Sequence, residues 1–192
     1  MMSVDPRRSG GAAGVLLTVG CVAMGLLSGL FYAYDLSVMP GLSRLDDAAY
    51  LTAMRNFNDA IDNSGPFAVV FLGALVATVW AAVAEHRRGR GAAAAWAAGA
   101  GVLYLAVLVL TVSVNLPLNS ELARLGDPAK AADLSLVDRF KGVWSAANLV
   151  RTLLTTAAVA CLAQALRLHG ASTAPPPPTA PHLTADRPAV HN

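Results

Sequence analysis

Three residues towards the C-terminal end of the chain combine costly chemistry with a spacing that gathers them. Trp144, Asn148 and Arg151 are four and three residues apart, so on a helix they share one face. They sit in a 25-residue apolar stretch, Gly142 to Leu166, whose sole charge is Arg151. Arg151 lies nine residues past Gly142, about 13 Å along a helix axis at 1.5 Å per residue. Snorkelling to the nearer interface is stretched over that depth. Two readings stand side by side: a structural strut that bridges helix ends, or a group that faces a ligand. A charged or amide side chain in lipid needs a partner or a cavity.

A second polar group has the same property. Asn115-Leu116-Pro117-Leu118-Asn119 closes another apolar run, with its two asparagines four apart. Pro117 has no N–H and leaves the carbonyl near Ser113 without its usual partner. The asparagines either satisfy that backbone or point into a cavity. Asp35 ends the first apolar run, and Met39 and Asn58 follow it in the first long connection. Metal chemistry has no matching set of residues. The four histidines (86, 169, 182 and 191) fall in linkers or the tail, and Cys21 and Cys161 are isolated. Two such cysteines supply neither a Cys-x-x-Cys pair nor four zinc ligands.

The elements that carry these groups are set by charge. Only 14% of the 192 residues are charged and 55% are hydrophobic, against about 25% charged in an average soluble domain. That excludes a cytosolic globular enzyme. A net charge of +2 gives a nucleic-acid binder no basic face. Uncharged runs of 26, 22 and 30 residues separate Arg8 from Asp35, Asp62 from Glu85 and Arg90 from Glu121. With the stretch that contains Arg151, four segments reach the ~20 residues needed to cross a bilayer. Each must be helical to satisfy its own backbone there. The predicted fold is therefore all-α: a polytopic membrane protein, a four-transmembrane-helix bundle over residues 1–168, with helices at about 11–34, 65–84, 92–114 and 143–166. The first is too long for the h-region of a cleaved signal peptide.

Arginines orient the bundle. Arg7, Arg8, Arg87, Arg88, Arg90 and Arg167 flank one side, whereas five aspartates lie between Asp35 and Ser64. The positive-inside rule then puts both termini in the cytoplasm of a multi-pass cell-membrane protein, with the two longer loops outside. Residues 46–61 place Tyr50, Leu51, Met54, Phe57 and Ile61 at helical spacing, predicting an amphipathic helix in the first outer loop. Cys21, Gly25, Gly29 and Ala33 form a small-residue stripe expected to pack a neighbouring helix. The Pro-rich segment 169–192 is expected to be a disordered cytoplasmic tail.

Taken in order, Gly29-Leu30-Phe31, Val38-Met39-Pro40-Gly41-Leu42, Ala53-Met54 through Asn58, Pro66-Phe67 and Phe71-Leu72-Gly73 form a pattern. It continues through Thr111 to Asn119 and then Trp144 with Asn148-Leu149-Val150-Arg151-Thr152. Over residues 12 to about 166 the chain resembles a domain-of-unknown-function family of four-helix integral membrane proteins that includes the anthrone oxygenases. It departs from that family's frequent pattern at Arg55, where Gln often follows the Met, and at Leu149, where His is often found. For some members the resemblance implies oxygenation at the activated methylene of a polycyclic anthrone, giving the quinone. An anthrone carbanion reacts with oxygen directly, so no cofactor or metal is expected. Such a site needs a proton acceptor and fixed donors for an enolate oxygen. Arg151, Asn148 and Asp35 are then the candidate catalytic residues, with Asp35 as base. Asn115, Asn119, Trp144, Asn58 and Met39 are the candidate ligand contacts. The partners expected are the lipid bilayer and a hydrophobic aromatic small molecule, without nucleic acid. The leading reading is a non-catalytic membrane protein that binds a small hydrophobic ligand at the outer side of the bundle, or supports a partner, and the oxygenase is its alternative. A transporter lacks a coupling path, because no chain of carboxylates crosses the membrane.

Overall fold

Apolar runs longer than a bilayer is thick become rods that extend past it. The computed structural model describes residues 6–130 and 133–173, with backbone alone for 6–10 and 129. Residues 174–192, most of the expected tail, lie outside the described residues. Four segments are long and apolar enough to cross a membrane: Gly11–Leu42, Gly65–Arg87, Gly91–Arg124 and Leu136–Thr173. The first three start with the charge-delimited runs, whereas the fourth starts earlier, at Leu136. The first and third continue beyond the expected ends, and the fourth begins ahead of its expected start, each through one wide turn that lets the helix go on.

The first rod is α1 (Pro6–Ala33), a π-helical turn over Tyr34–Val38, and the short α2 (Met39–Leu42). Next come the amphipathic loop helix α3 (Asp47–Asp62) and the second span α4 (Gly65–Arg87). The third rod is α5 (Gly91–Leu110), a π turn over Thr111–Asn115, and α6 (Leu116–Arg124). The last is α7 (Leu136–Arg139), a π turn over Phe140–Trp144, and α8 (Ser145–Thr173). Among the described residues there are no strands. His169, read from the sequence as tail, therefore lies on the closing turns of α8.

The spans pack in a closed ring, with α1 against α4 and α8, and α5 against the same two. Small residues make the close approaches: Ala74, Ala77 and Ala81 of α4, Ala97 and Ala100 of α5, and Ala158 and Ala165 of α8 are buried. Leu17, Met24, Leu27, Phe31 and Tyr104 fill the space between them. The expected stripe on α1 is displaced from this face. A Cβ on Gly25 or Gly29 would meet nothing within 4 Å, whereas one on Gly20 would stand 2.9 Å from Thr78 Oγ1. Four residues turn a helix by roughly 400°, so an every-fourth row slides off the packed face. The buried row of α1 mixes three- and four-residue steps instead, through Leu17, Met24, Leu27, Phe31 and Tyr34.

The loop helix forms where its periodicity placed it. Asp46 caps it by accepting from the Ala49 N–H at 2.9 Å. Its face of Tyr50, Leu51 and Met54 joins Leu118, Leu122, Leu136, Val137 and Phe140 in a second core. That core closes one end of the bundle, and the functional groups lie between it and the helical ring.

Candidate functional site

Each π turn inserts one residue into a helix, and all three contribute to one cavity. In the first, the Met39 N–H reaches back five residues to the Tyr34 carbonyl; in the second, Leu116 does the same to Thr111. A proline follows each of these turns by two residues, Pro40 and Pro117. A proline ring would clash with the carbonyl four residues back in a regular α-helix, and the wider turn relieves that contact. The third turn has Gly142 at its centre, and Ser145 Oγ donates to the Phe140 carbonyl at 2.8 Å. Single π turns inside α-helices frequently mark functional sites. Here they rotate Tyr34, Thr111, Asn115 and Trp144 towards a shared space.

That space is a cavity of about 270 Å³, near the lower end of the range for small-molecule sites. Leu30, Phe31 and Tyr34 enter it from the first rod, and Asn58, Ile61 and Asp62 from α3. Phe67, Ala68, Phe71 and Leu72 come from α4; Thr111, Asn115, Leu116 and Asn119 from the third rod; Trp144, Asn148 and Arg151 from the fourth. Phe67 and Phe71 stack with ring centres 5.3 Å apart, and Tyr34 lies against Trp144 at 5.7 Å. Five of the seventeen lining residues are aromatic, and the lining has one cation, Arg151, and one carboxylate, Asp62.

Arg151 is buried and held in place on several sides. Its Nη2 donates to Asn148 Oδ1 at 2.7 Å, and Nη1 reaches Thr111 Oγ1 at 3.4 Å. The guanidinium lies 4.4 Å from the Phe31 ring centre and 5.5 Å from that of Trp144. A cation this close to two aromatic rings is attracted by their π-systems. The Asn148 amide passes the interaction on, donating to Asp35 Oδ1 at 2.6 Å and to the Phe31 carbonyl at 2.9 Å. Thr152 Oγ1 donates to the other carboxylate oxygen of Asp35. Trp144 Nε1 donates to Asn119 Oδ1 at 2.9 Å, and Asn115 Nδ2 to the Trp144 carbonyl at 3.5 Å.

Three buried polar atoms of cavity residues have no hydrogen-bond partner among the described residues: Arg151 Nε, Asn58 Nδ2 and Asn115 Oδ1. Leaving such atoms unmade costs about 1–3 kcal/mol each. All three atoms are enclosed, and they belong to residues that line the cavity.

Of the residues singled out from sequence, Asn58, Asn115, Asn119, Trp144, Asn148 and Arg151 meet in this cavity. Asp35 and Met39 do not line it. They lie on the far side of Asn148, along a separate surface groove shared with Lys141 and Leu149. Asp35 is occupied at both oxygens by Asn148 and Thr152 and reaches the cavity only through that amide. Leu149, where the resemblance places a frequent His, points away from the cavity and is 51% exposed. Phe31, Tyr34, Thr111 and Asp62 were missed. Asp62 had a legible signal, since it lies four residues after Asn58 and so on the same helical face. Phe31 lies on the buried row of α1, and Tyr34 and Thr111 sit in turns that periodicity does not reveal.

At the opposite end of the bundle, buried Glu85 accepts from Arg90 Nη1 at 3.2 Å and lies 2.9 Å from His169 Nδ1. Among the described residues no group of three or more His, Cys, Asp or Glu could hold a metal.

A model of one protein family, described as Anthrone oxygenase, matches residues 54–161, more than half of the chain. The match runs from the middle of α3 into α8 and takes in every polar cavity residue from Asn58 to Arg151. No curated protein and no solved structure matches the chain.

Proposed function

The chain belongs to the anthrone oxygenase family, and from that premise we propose that its cavity binds a flat, lipid-soluble aromatic molecule through the oxygen atoms of that molecule. The observation that carries this reading is the trio of unpartnered buried atoms, Arg151 Nε, Asn58 Nδ2 and Asn115 Oδ1, on residues that line a space together with five aromatic side chains. A ketone or phenolate oxygen would receive Arg151 and Asn58, and a phenol O–H would be received by Asn115. The rings of Phe31, Phe67, Phe71 and Trp144 suit the faces of a polycycle. By the distribution of arginines, both termini lie in the cytoplasm, and the cavity opens near the outer leaflet of the cell membrane.

The experiment is a binding titration on the full chain in detergent. Trp144 is the tryptophan that lines the cavity, so anthrone should quench part of the intrinsic fluorescence. Trp144→Phe should abolish that component. Equal quenching in wild type and Trp144→Phe would sink the reading.

A second reading follows from Arg151: turnover of an anthrone to the quinone. The methylene loses two hydrogens and gains one oxygen atom from dioxygen, and the other oxygen atom leaves as water. The protein's part is to bind the ring system, hold a guanidinium against the carbonyl oxygen as it gains charge, and exclude water. Conversion of emodin anthrone to emodin faster than by heat-killed protein, lost in Arg151→Ala, is the outcome expected of this reading.

A further inference from the structure

We propose that Asp62 is the proton acceptor of this site, positioned at the cavity wall to remove a proton from the acidic C–H of a bound aromatic ketone while Arg151 receives the resulting enolate oxygen. The proposal rests on the reading of the cavity as a site for such a ketone. Three observations support it. Asp62 is the carboxylate among the residues lining the cavity, and Arg151 is the cation. Asp35, the other carboxylate nearby, has both oxygens engaged by Asn148 and Thr152 and stands outside the lining. Among the described residues no hydrogen bond or ion pair of the Asp62 side chain is found, so its oxygens are available to a ligand.

The local sequence explains the placement. Asn58 and Asp62 are one turn apart on the closing turns of α3, and Asn63 ends that helix by donating its Nδ2 to the Asp59 carbonyl at 2.9 Å. The helix therefore presents an amide donor and a carboxylate to the same space. Partial burial first, and the Asp59 charge second, raise the proton affinity of Asp62 above that of an ordinary carboxylate, which is the direction a base working near neutral pH requires. Tyr34 also lines the cavity, but a phenol is neutral at that pH and does not accept a proton.

The step balances without a further reactant. The C–H bond breaks, its proton forms an O–H bond on Asp62, and the electron pair moves into the ring carbonyl to give an enolate beside Arg151. Reprotonation from Asp62 reverses it. In deuterium oxide without oxygen, the net result is exchange of the methylene hydrogens.

The test uses the full chain in detergent, anthrone as probe, and proton NMR of its methylene signal in anaerobic deuterium oxide, with binding read by fluorescence quenching. Wild type should accelerate exchange over the protein-free rate, with a rate that climbs as pH rises through the proton affinity of Asp62. Asp62→Asn should bind anthrone within about twofold of wild type yet lose the acceleration at least a hundredfold. Asp62→Glu should retain part of it with a shifted pH profile, which a purely structural carboxylate would not produce. Wild-type exchange in Asp62→Asn overturns the role of Asp62 and leaves the cavity reading intact. Wild-type binding without acceleration does the same. Failure of wild type to bind anthrone removes the cavity reading, and the base with it.

Discussion

The guanidinium of Arg151 is held by the amide of Asn148, at 2.7 Å from Nη2 to Oδ1, three residues earlier on the same helix. The same amide donates at its other end to Asp35 at 2.6 Å. Asn148 thus couples a cation in the cavity to a carboxylate outside it without placing the two in contact. Each charge keeps a partner, while Arg151 Nε has none among the described residues.

Replacing Asn148 by Ala removes both halves of that bridge. A hydrogen bond to a charged group contributes about 1.5–3 kcal/mol, so the variant should unfold at lower temperature in detergent. Asn148→Asp should not rescue it, because a carboxylate at this position faces Asp35. Thermal unfolding of the two variants by circular dichroism checks this, and a wild-type melting temperature in either contradicts the bridge.

Arg151→Met separates a strut from a ligand-facing group. A charge at membrane depth is costly, and its removal partly offsets the loss of the bond to Asn148. The expected outcome is a melting temperature no lower than that of Asn148→Ala, with anthrone binding weakened at least tenfold. Destabilisation with unchanged binding would identify the strut. Arg151→Lys keeps the charge but loses the donation from two separate nitrogens, to Asn148 and to Thr111, so its binding should fall as well.

Trp144→Phe keeps an aromatic ring beside Tyr34 but removes the donation from Nε1 to Asn119. A cost of about 1 kcal/mol is expected. Asn119→Ala should cost a similar amount, and the double variant should cost little more than either single one. Strict additivity in the double-mutant cycle would deny the pairing.

Gly20→Ala tests the ring of spans far from the cavity. Alanine gains about 1 kcal/mol in helix propensity over glycine, but its Cβ would sit 2.9 Å from Thr78 Oγ1. Thr78 is fixed by its own bond to the Ala74 carbonyl at 2.7 Å, so it cannot turn aside cheaply. Overpacking at this site should cost about 1–3 kcal/mol, and Thr78→Ala should restore the loss. Equal melting temperatures for wild type and Gly20→Ala would show that the two helices separate more easily than their packing implies.

Asp62 gives stability a pH dependence with a definite sign. Burial and the Asp59 charge raise its proton affinity in the folded chain above the unfolded value near 3.8. The folded state therefore binds the proton more tightly, and the stabilisation is present in acid. It is lost as pH rises from the unfolded value through the raised folded one. Asp62→Asn should accordingly melt slightly above wild type at neutral pH and with no advantage at the acid end. The reverse order of melting temperatures at neutral pH would contradict this sign.

By itself the sequence determined the class of the molecule and the address of its cation. Shortage of charge, gathered into four uncharged runs, leaves helices in a membrane as the solution that satisfies the backbone. Spacing of four and three within one helix put Trp144, Asn148 and Arg151 on one face, and a period of 3.6 placed the loop helix. These are properties of single segments, and a single segment's pattern contains them. Tertiary structure alone decided what each face meets. Asp35 and Met39 face a groove on the far side of Asn148, and Asp62, from a different helix, lines the cavity. Gly25 and Gly29 miss the packed face that Gly20 reaches. Two wide turns bring Tyr34, Thr111 and Asn115 to the cavity that Arg151 lines. The reason is geometric: a helix fixes angles about its own axis, but the rotation of that axis against its neighbours, and each inserted residue that resets it, is set by contacts between segments far apart in the chain.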